Sequence, residues 1–246
     1  MVLVSKGKPV ITEAISLDWM TLAAPDVDRL GSFYEETLRL SEAGGAPDIA
    51  GPSPSYIFET PPGTLCMREL TTMPSGGVHT HFAIAVSPAR YERITSWLGP
   101  NELVTERTFG GNRSLYGFDP AGHCFEFGER DGVDGAVGQI FEVVLEVDSL
   151  ERALDRYTPL GFEPLGSDDT RRRRRLRGPF DLELWEPQLG IADARGGCHV
   201  DLGLTVADPT AAADHLTTAD REPARIDGRL FVRDGDGHTW WLDSPD

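Results

Sequence analysis

The chain has 246 residues, 39% of them hydrophobic and 9% aromatic, and a formal net charge of −17. That length suits one large domain or two ordinary ones, and the composition is that of a globular protein with a packed core. A surface this acidic argues against nucleic acid and anionic membrane as main partners, because both would be repelled.

The basic charge is almost all arginine, since Lys6 and Lys8 are the only lysines. Cys66, Cys124 and Cys198 form no C-x-x-C pair, so neither a disulfide framework nor a cysteine zinc site is expected. In MVLVSKGKPVITEA the charges follow a four-residue apolar run, which is unlike a signal peptide. No apolar stretch approaches the ~20 residues that span a bilayer. The expectation is a cytoplasmic protein.

In chain order, SLDWMTLAAPDVDRLGSFYEETLRL (16–40) predicts an alternating strand, a turn and an amphipathic helix, with Asp26 as the helix cap. SYIFET and TLCMREL follow as strands about a Pro-Gly turn. HTHFAIAVSPARYERITSWL (79–98) starts again with a strand, a Pro-marked turn and a helix, and SLYGFD and HCFEFGE follow about Asp-Pro-x-Gly. ERDGVDGAVGQ (129–139), rich in Gly and Asp, reads as a linker.

QIFEVVLEVDSLERALDRYTPLGF (139–162) then repeats the first segment at an offset of 123, matching Arg29 with Arg152 and Tyr34 with Tyr157, and Ser149 is its cap. RRRLRG and FDLELWE come next. CHVDLGLTVADPTAAADHL (198–216) repeats the second segment at an offset of 120, placing His199 on His79 and Asp201 on His81, and RLFVRD and HTWWLD close the chain. The sequence therefore holds four βαβββ units, the third strand of each being the least defined. They fall into halves 14–130 and 138–246.

The order βαβββ, the strand–turn–helix carrying Phe33-Tyr34, the strand HTHFAIAV and the phrase FDPAGHCFEF resemble the vicinal oxygen chelate superfamily. That group includes glyoxalase I, bleomycin-resistance proteins and extradiol dioxygenases. The resemblance covers nearly the whole chain. It implies an α+β fold in which four βαβββ modules form two pseudo-symmetric glyoxalase-like domains with curved mixed sheets.

It also implies metal ligands on the first and last strands of paired units. In the N-terminal half those positions read Trp19, about Met67, His81 and Glu126, with Glu69 and His79 two residues away from Met67 and His81. His81, Glu126 and Glu69 or His79 would hold a divalent metal such as Fe, Mn, Ni or Zn. The open alternative is that His81 and Glu126 form a hydrogen-bonded pair in an ordinary pocket. In the C-terminal half the positions read Glu142, about Glu183, Asp201 and Trp241. The three carboxylates there would suit Mg²⁺ or Mn²⁺, or make a solvated acidic face.

Trp241 stands where the repeated phrase has Glu126, which reads as a plugged site.

Two functions follow. One is a metal-dependent lyase, isomerase or ring-cleavage dioxygenase acting on a small substrate with vicinal oxygens, catechol-like or enediolate-forming, with Glu126 as ligand and proton carrier. The other is a metal-free sequestration protein of the bleomycin-resistance type, whose pocket, lined by Trp19, Tyr56 and Tyr116, would favour a cationic ligand. Either would work as a monomer or homodimer.

The run TRRRRRLRG (170–178) reads as a basic edge strand answering Asp168 and Asp169, or as an anion clamp with Arg173, Arg175 and Arg177 on one face. His123 and His238, each just after a turn Gly, read as exposed turn residues.

Overall fold

A computed structural model describes residues 14–44, 53–70, 79–101, 103–170, 172–186, 200–218 and 222–245, with residues 79, 80 and 101 described by backbone alone. Each of the four units opens with a strand and a helix: β1 (Ala14–Ala24) and α1 (Val27–Ser32), β4 (His79–Val86) and α2 (Pro88–Leu98), β8 (Val137–Glu146) and α3 (Leu150–Tyr157), β12 (Val200–Val206) and α4 (Pro209–Leu216). Asp26, Ser87, Ser149 and Asp208 cap the four helices by accepting a backbone N–H of the first turn. Pro88 and Pro209 sit in the first turn of their helices, where no N–H is needed.

Three further strands follow in the later units: β5 (Val104–Phe109), β6 (Asn112–Phe118) and β7 (Cys124–Glu129), then β9 (Glu163–Asp168), β10 (Arg173–Arg177) and β11 (Asp181–Trp185), then β13 (Ala224–Ile226), β14 (Arg229–Arg233) and β15 (Thr239–Asp243). Among its described residues the first unit has β2 (Tyr56–Thr60) and β3 (Gly63–Glu69), with a single bridge between Glu42 and Phe58 beside them.

The strands make two mixed sheets. One runs β13-β14-β15-β12-β1-β3-β2 and joins the fourth unit to the first; the other runs β5-β6-β7-β4-β8-β11-β10-β9 and joins the second to the third. The seams are antiparallel, β1 on β12 and β4 on β8. Within each unit the first and last strands pair parallel. Each sheet therefore draws on both halves of the sequence.

Alternation gives each sheet one apolar face. Met20, Leu65, Leu202 and Trp240 from one sheet and Phe82, Phe127, Val143 and Leu184 from the other enter one continuous core. Met67 is also in that core, so it does not share Trp19's face of the sheet. No helix among the described residues is long and apolar enough to cross a membrane.

A second set of contacts ties the two units of each half. Tyr34 donates to Asp119 (3.0 Å), whose other oxygen accepts the N–H groups of Ala121 and His123, both at 2.9 Å. His123 Nε2 then donates to Ala23 O at 3.1 Å. The other half repeats this: Tyr157 (2.5 Å) and Trp240 Nε1 (2.9 Å) donate to Asp234, which accepts from Asp236 N and His238 N, and His238 donates to Glu146 O at 2.7 Å. His123 and His238 are thus buried clasps and not exposed turn residues. An imidazole reaches a neighbouring strand-end carbonyl while its own N–H closes the Asp turn.

On the outer face of the seven-stranded sheet two indoles fill the position where the other sheet carries carboxylates, and a hollow of about 550 Å³ lies beside them. Trp19 and Trp241 pack 6.2 Å apart, with Phe231 4.8 Å from Trp241 and Cys66 beneath. Asp201 is paired with Arg68 and hydrogen-bonded to Thr239. Gly203 lies under the Trp19 ring, and a Cβ there would overlap the indole. Gly203→Ala is expected to destabilise the protein by about 1–3 kcal/mol through overpacking, read as a lower thermal midpoint.

Candidate metal centre

The outer face of the eight-stranded sheet is open. It lines a cavity of about 640 Å³. Three strands bring their chemistry to it: His81 from β4, Glu126 from β7 and Glu142 from β8. His81 Nε2 lies 3.4 Å from Glu126 Oε2 and 3.5 Å from Glu142 Oε1. One donor atom from each of the three falls within 4.8 Å of the others. Two donors each ~2.1 Å from a shared divalent ion stand ~3.0–3.4 Å apart, so neutral imidazole and two carboxylates at these spacings fit such an ion.

Each donor is held from behind. The polar side chains of Ser114 and Tyr116 on β6 neighbour Glu126, Tyr116 directly opposite it across the β6–β7 pair, and the Tyr116 ring packs edge-on to His81 with centroids 5.5 Å apart. Arg175 on β10 reaches Glu142 Oε2 at 3.3 Å. Glu183 on β11 lines the same cavity, but Arg173 binds its Oε1 at 2.8 Å and draws it out of the three-donor group.

Electrostatics follow from this packing. Burial pushes the His81 pKa down, but hydrogen bonds and charge from Glu126 and Glu142 outweigh it and raise it to about 9. Burial would raise Glu126, yet the His81, Ser114 and Tyr116 hydrogen bonds hold it below the usual carboxylate value. Burial and the charge of Glu142 raise Glu183. Burial and the Glu126 hydrogen bond raise Tyr116, keeping its hydroxyl a donor.

Without metal, the folded site therefore keeps a proton that an unfolded histidine, titrating near ~6.5, gives up. The stability it contributes is complete below about pH 6.5 and is lost as pH rises through about 9. Glu126, Glu142, Glu183, Tyr116 and Arg175 are the groups that face this imidazole or its partners. Chelator-treated protein is expected to melt lower at pH 9.5 than at pH 7, and His81→Gln to show a smaller drop. Equal drops would remove the imidazole as the cause.

The residues chosen from sequence separate cleanly. His81 and Glu126 meet, and they are joined by Glu142 and Glu183, which the sequence assigned to the other half. The β4–β8 seam brings them together. Asp201 and Trp19 belong to the seven-stranded sheet. Glu69 ends β3 in that same sheet, opposite Ala24. Tyr56 packs against Gly31 of α1 and donates to Asp28 at 3.1 Å, away from the cavity. His79 pairs with Leu145 by backbone, and His199 lies outside the described residues.

Strand β10 lies one strand inside the sheet edge. Its arginines do answer local acids, Arg174 meeting Asp169 at 2.9 Å and Arg173 meeting Asp168 at 3.8 Å. Arg173 and Arg175 also line the cavity, which makes its wall basic rather than purely acidic.

Sequence reading missed Phe141. Ala83 pairs with Glu142 but Ile84 with Ile140, so Phe141 is the extra residue of a bulge, and it joins Glu142 on the cavity wall.

A protein of Bacillus subtilis subsp. subtilis str. 168, named "putative dioxygenase", superposes with a TM-score of 0.70 at 14% identity over 94% of this chain and 86% of that one. Glyoxalase I from Zea mays superposes with a TM-score of 0.62 at 16% identity, over 92% and 91%. The chain has the vicinal oxygen chelate fold. The cppA protein of Streptococcus pneumoniae TIGR4 shares it at a TM-score of 0.53 and 12% identity, over 95% and 99%. No protein-family profile and no curated sequence matches the chain. At these identities the likeness carries the fold, and the activity has to be argued from the site.

Proposed function

We propose that this is a metal-dependent enzyme of the glyoxalase and extradiol-dioxygenase kind, acting on a small substrate with two adjacent oxygens, a catecholate or an enediolate. The observation that carries it is the convergence of His81, Glu126 and Glu142 at the floor of one cavity. His81 Nε2 and one oxygen from each carboxylate would hold the ion. A bound divalent ion supplies Lewis-acid stabilisation of the anionic charge that develops on the substrate oxygens.

The chain's own groups do the rest. Tyr116, opposite Glu126 across the β6–β7 pair, and Ser114 beside it keep Glu126 placed, so the carboxylate oxygen that does not hold the ion can take a substrate proton. Arg175 fixes Glu142. Tyr116 and Phe141 flank the site and exclude water from one side of a flat substrate.

The metal-free sequestration reading draws on one observation: an imidazolium at His81 between two carboxylates, one of them also paired with Arg175, makes a set whose charges sum to zero without an ion. The test is metal content. Protein purified without chelator is offered Fe(II), Mn(II), Ni(II) and Zn(II) in turn. Near one ion per chain, followed by turnover of a catechol under oxygen or of an α-oxoaldehyde with a thiol, is the expected result. Failure to retain any of the four would leave the sequestration reading.

A further inference from the structure

The cavity is unusual for its charge. In a chain of net −17, its walls carry four guanidiniums, Arg107, Arg130, Arg173 and Arg175, against three carboxylates. Arg173 and Arg175 are committed to Glu183, Asp181 and Glu142. Arg107 and Arg130 are not. Among the described residues neither has a carboxylate in ion-pair range. Their hydrogen bonds go to backbone carbonyls, Arg107 to Glu106 O at 3.0 Å and Arg130 to Glu129 O at 2.8 Å.

Arg130 is also pre-set. Its guanidinium lies over the Phe141 ring, 4.1 Å from the centroid. Gly128 makes the room, since a Cβ there would stand 2.7 Å from Phe141 Cζ and 3.1 Å from Arg130 Nη1. A guanidinium held by a ring and one carbonyl has lost most of its rotamer freedom before any ligand arrives, and planar forks of this kind suit bidentate binding of a carboxylate. Arg107 approaches from the other side of the same cross-strand row, opposite Ser114, which is itself opposite Gly128.

That row stands two residues along β7 from Glu126, on the same face and about 7 Å away at the rise of a strand. Tyr116 and Phe141 share the cavity wall with Ser114, and two further lining rings, Phe118 and Phe109, are 70% and 54% exposed, Phe109 standing edge-on to Tyr116.

We propose that the ligand of this cavity is a small organic acid: a flat apolar body with vicinal oxygens at the His81 end and a carboxylate held by Arg130 and Arg107 at the other. The oxygen end rests on the metal reading above; the carboxylate end does not. A divalent ion would raise the positive surplus further, so metal and carboxylate recognition reinforce each other.

Calorimetry with catechol, 3,4-dihydroxyphenylacetate, phenylacetate and phenyl phosphate tests this on the wild type, Arg130→Gln and Arg107→Gln. The Mn(II)-loaded wild type is expected to bind 3,4-dihydroxyphenylacetate about tenfold or more tighter than catechol, as a charge-assisted pair would give. Arg130→Gln should collapse that ratio to about one while leaving catechol affinity in place, and Arg107→Gln should reduce it in part. Phenylacetate should bind metal-free wild type and lose about tenfold in Arg130→Gln.

Equal affinity for catechol and its acid, or a ratio indifferent to both substitutions, overturns the proposal. Preference for phenyl phosphate over phenylacetate overturns the choice of carboxylate. If no metal is retained but phenylacetate still depends on Arg130, the metal reading falls and this one stands. If metal and catechol bind but phenylacetate ignores Arg130, this one falls alone.

Discussion

Asp234→Ala is expected to cost about 4 kcal/mol or more of folding stability, among the largest single losses available in this chain. The Asp234 carboxylate is fully buried and accepts from four donors: the N–H groups of Asp236 and His238, the Tyr157 hydroxyl and the Trp240 indole. Each buried donor left without an acceptor costs about 1–3 kcal/mol. The damage spreads, because the same turn presents Asp236 to Arg156 and to the backbone N–H of Asp148. For a chain of this size the thermal midpoint should fall by about 10 °C or more.

Asp119→Ala removes an equivalent carboxylate, one with a hydroxyl and two backbone donors from Tyr34, Ala121 and His123, and should cost somewhat less. Denaturant titration of both variants checks this. A loss below about 1 kcal/mol for Asp234→Ala would mean the clasp contributes little beyond turn geometry.

The second large effect is on metal. His81→Ala should lower affinity for a divalent ion by more than about 100-fold, since removing even an outer partner of a ligand commonly costs 10–100-fold. His81 is the one nitrogen donor of the group, and without it Glu126 and Glu142 face each other with only Arg175, on the far oxygen of Glu142, to balance them. His81→Gln keeps the volume and a polar contact, and serves as the folded control. Glu142→Gln should fall between the two. Glu69→Gln should match the wild type, because Glu69 lies on the other sheet. Competition against a chromophoric chelator gives the affinities. Unchanged binding by His81→Ala would end the metal assignment.

The four units were legible because duplication leaves offsets that survive divergence. Tyr34 and Tyr157, Asp119 and Asp234, His123 and His238 all kept register. The purpose of those pairs was not legible, because a turn Asp and a following His look exposed until the tyrosine of the preceding unit is seen to reach them.

His81 and Glu126 could be picked out because strand alternation and the resemblance agreed on their face. The pairing of units could not. An offset records ancestry and carries no information about which strand edges meet, so Glu142 and Glu183 were placed with Asp201 when β8 in fact lies along β4. Met67 was off by one position, the error that period-two alternation punishes most. Phe141 was hidden by its bulge, and the basic wall by the distance in sequence between Arg130 and Arg175.

The crossing of the seams has a consequence for the chain as a polymer. Hydrogen-bonded turns bind first unit to second and third to fourth, while the sheets bind first to fourth and second to third. The four units thus close a ring of contacts, to which the covalent stretch between β7 and β8 adds one more tie. Separately produced pieces 14–130 and 138–246 would each bare two strand edges and hold an incomplete donor set. Mixed together, they carry both sides of each seam and are expected to recombine into one complex and rebuild the cavity.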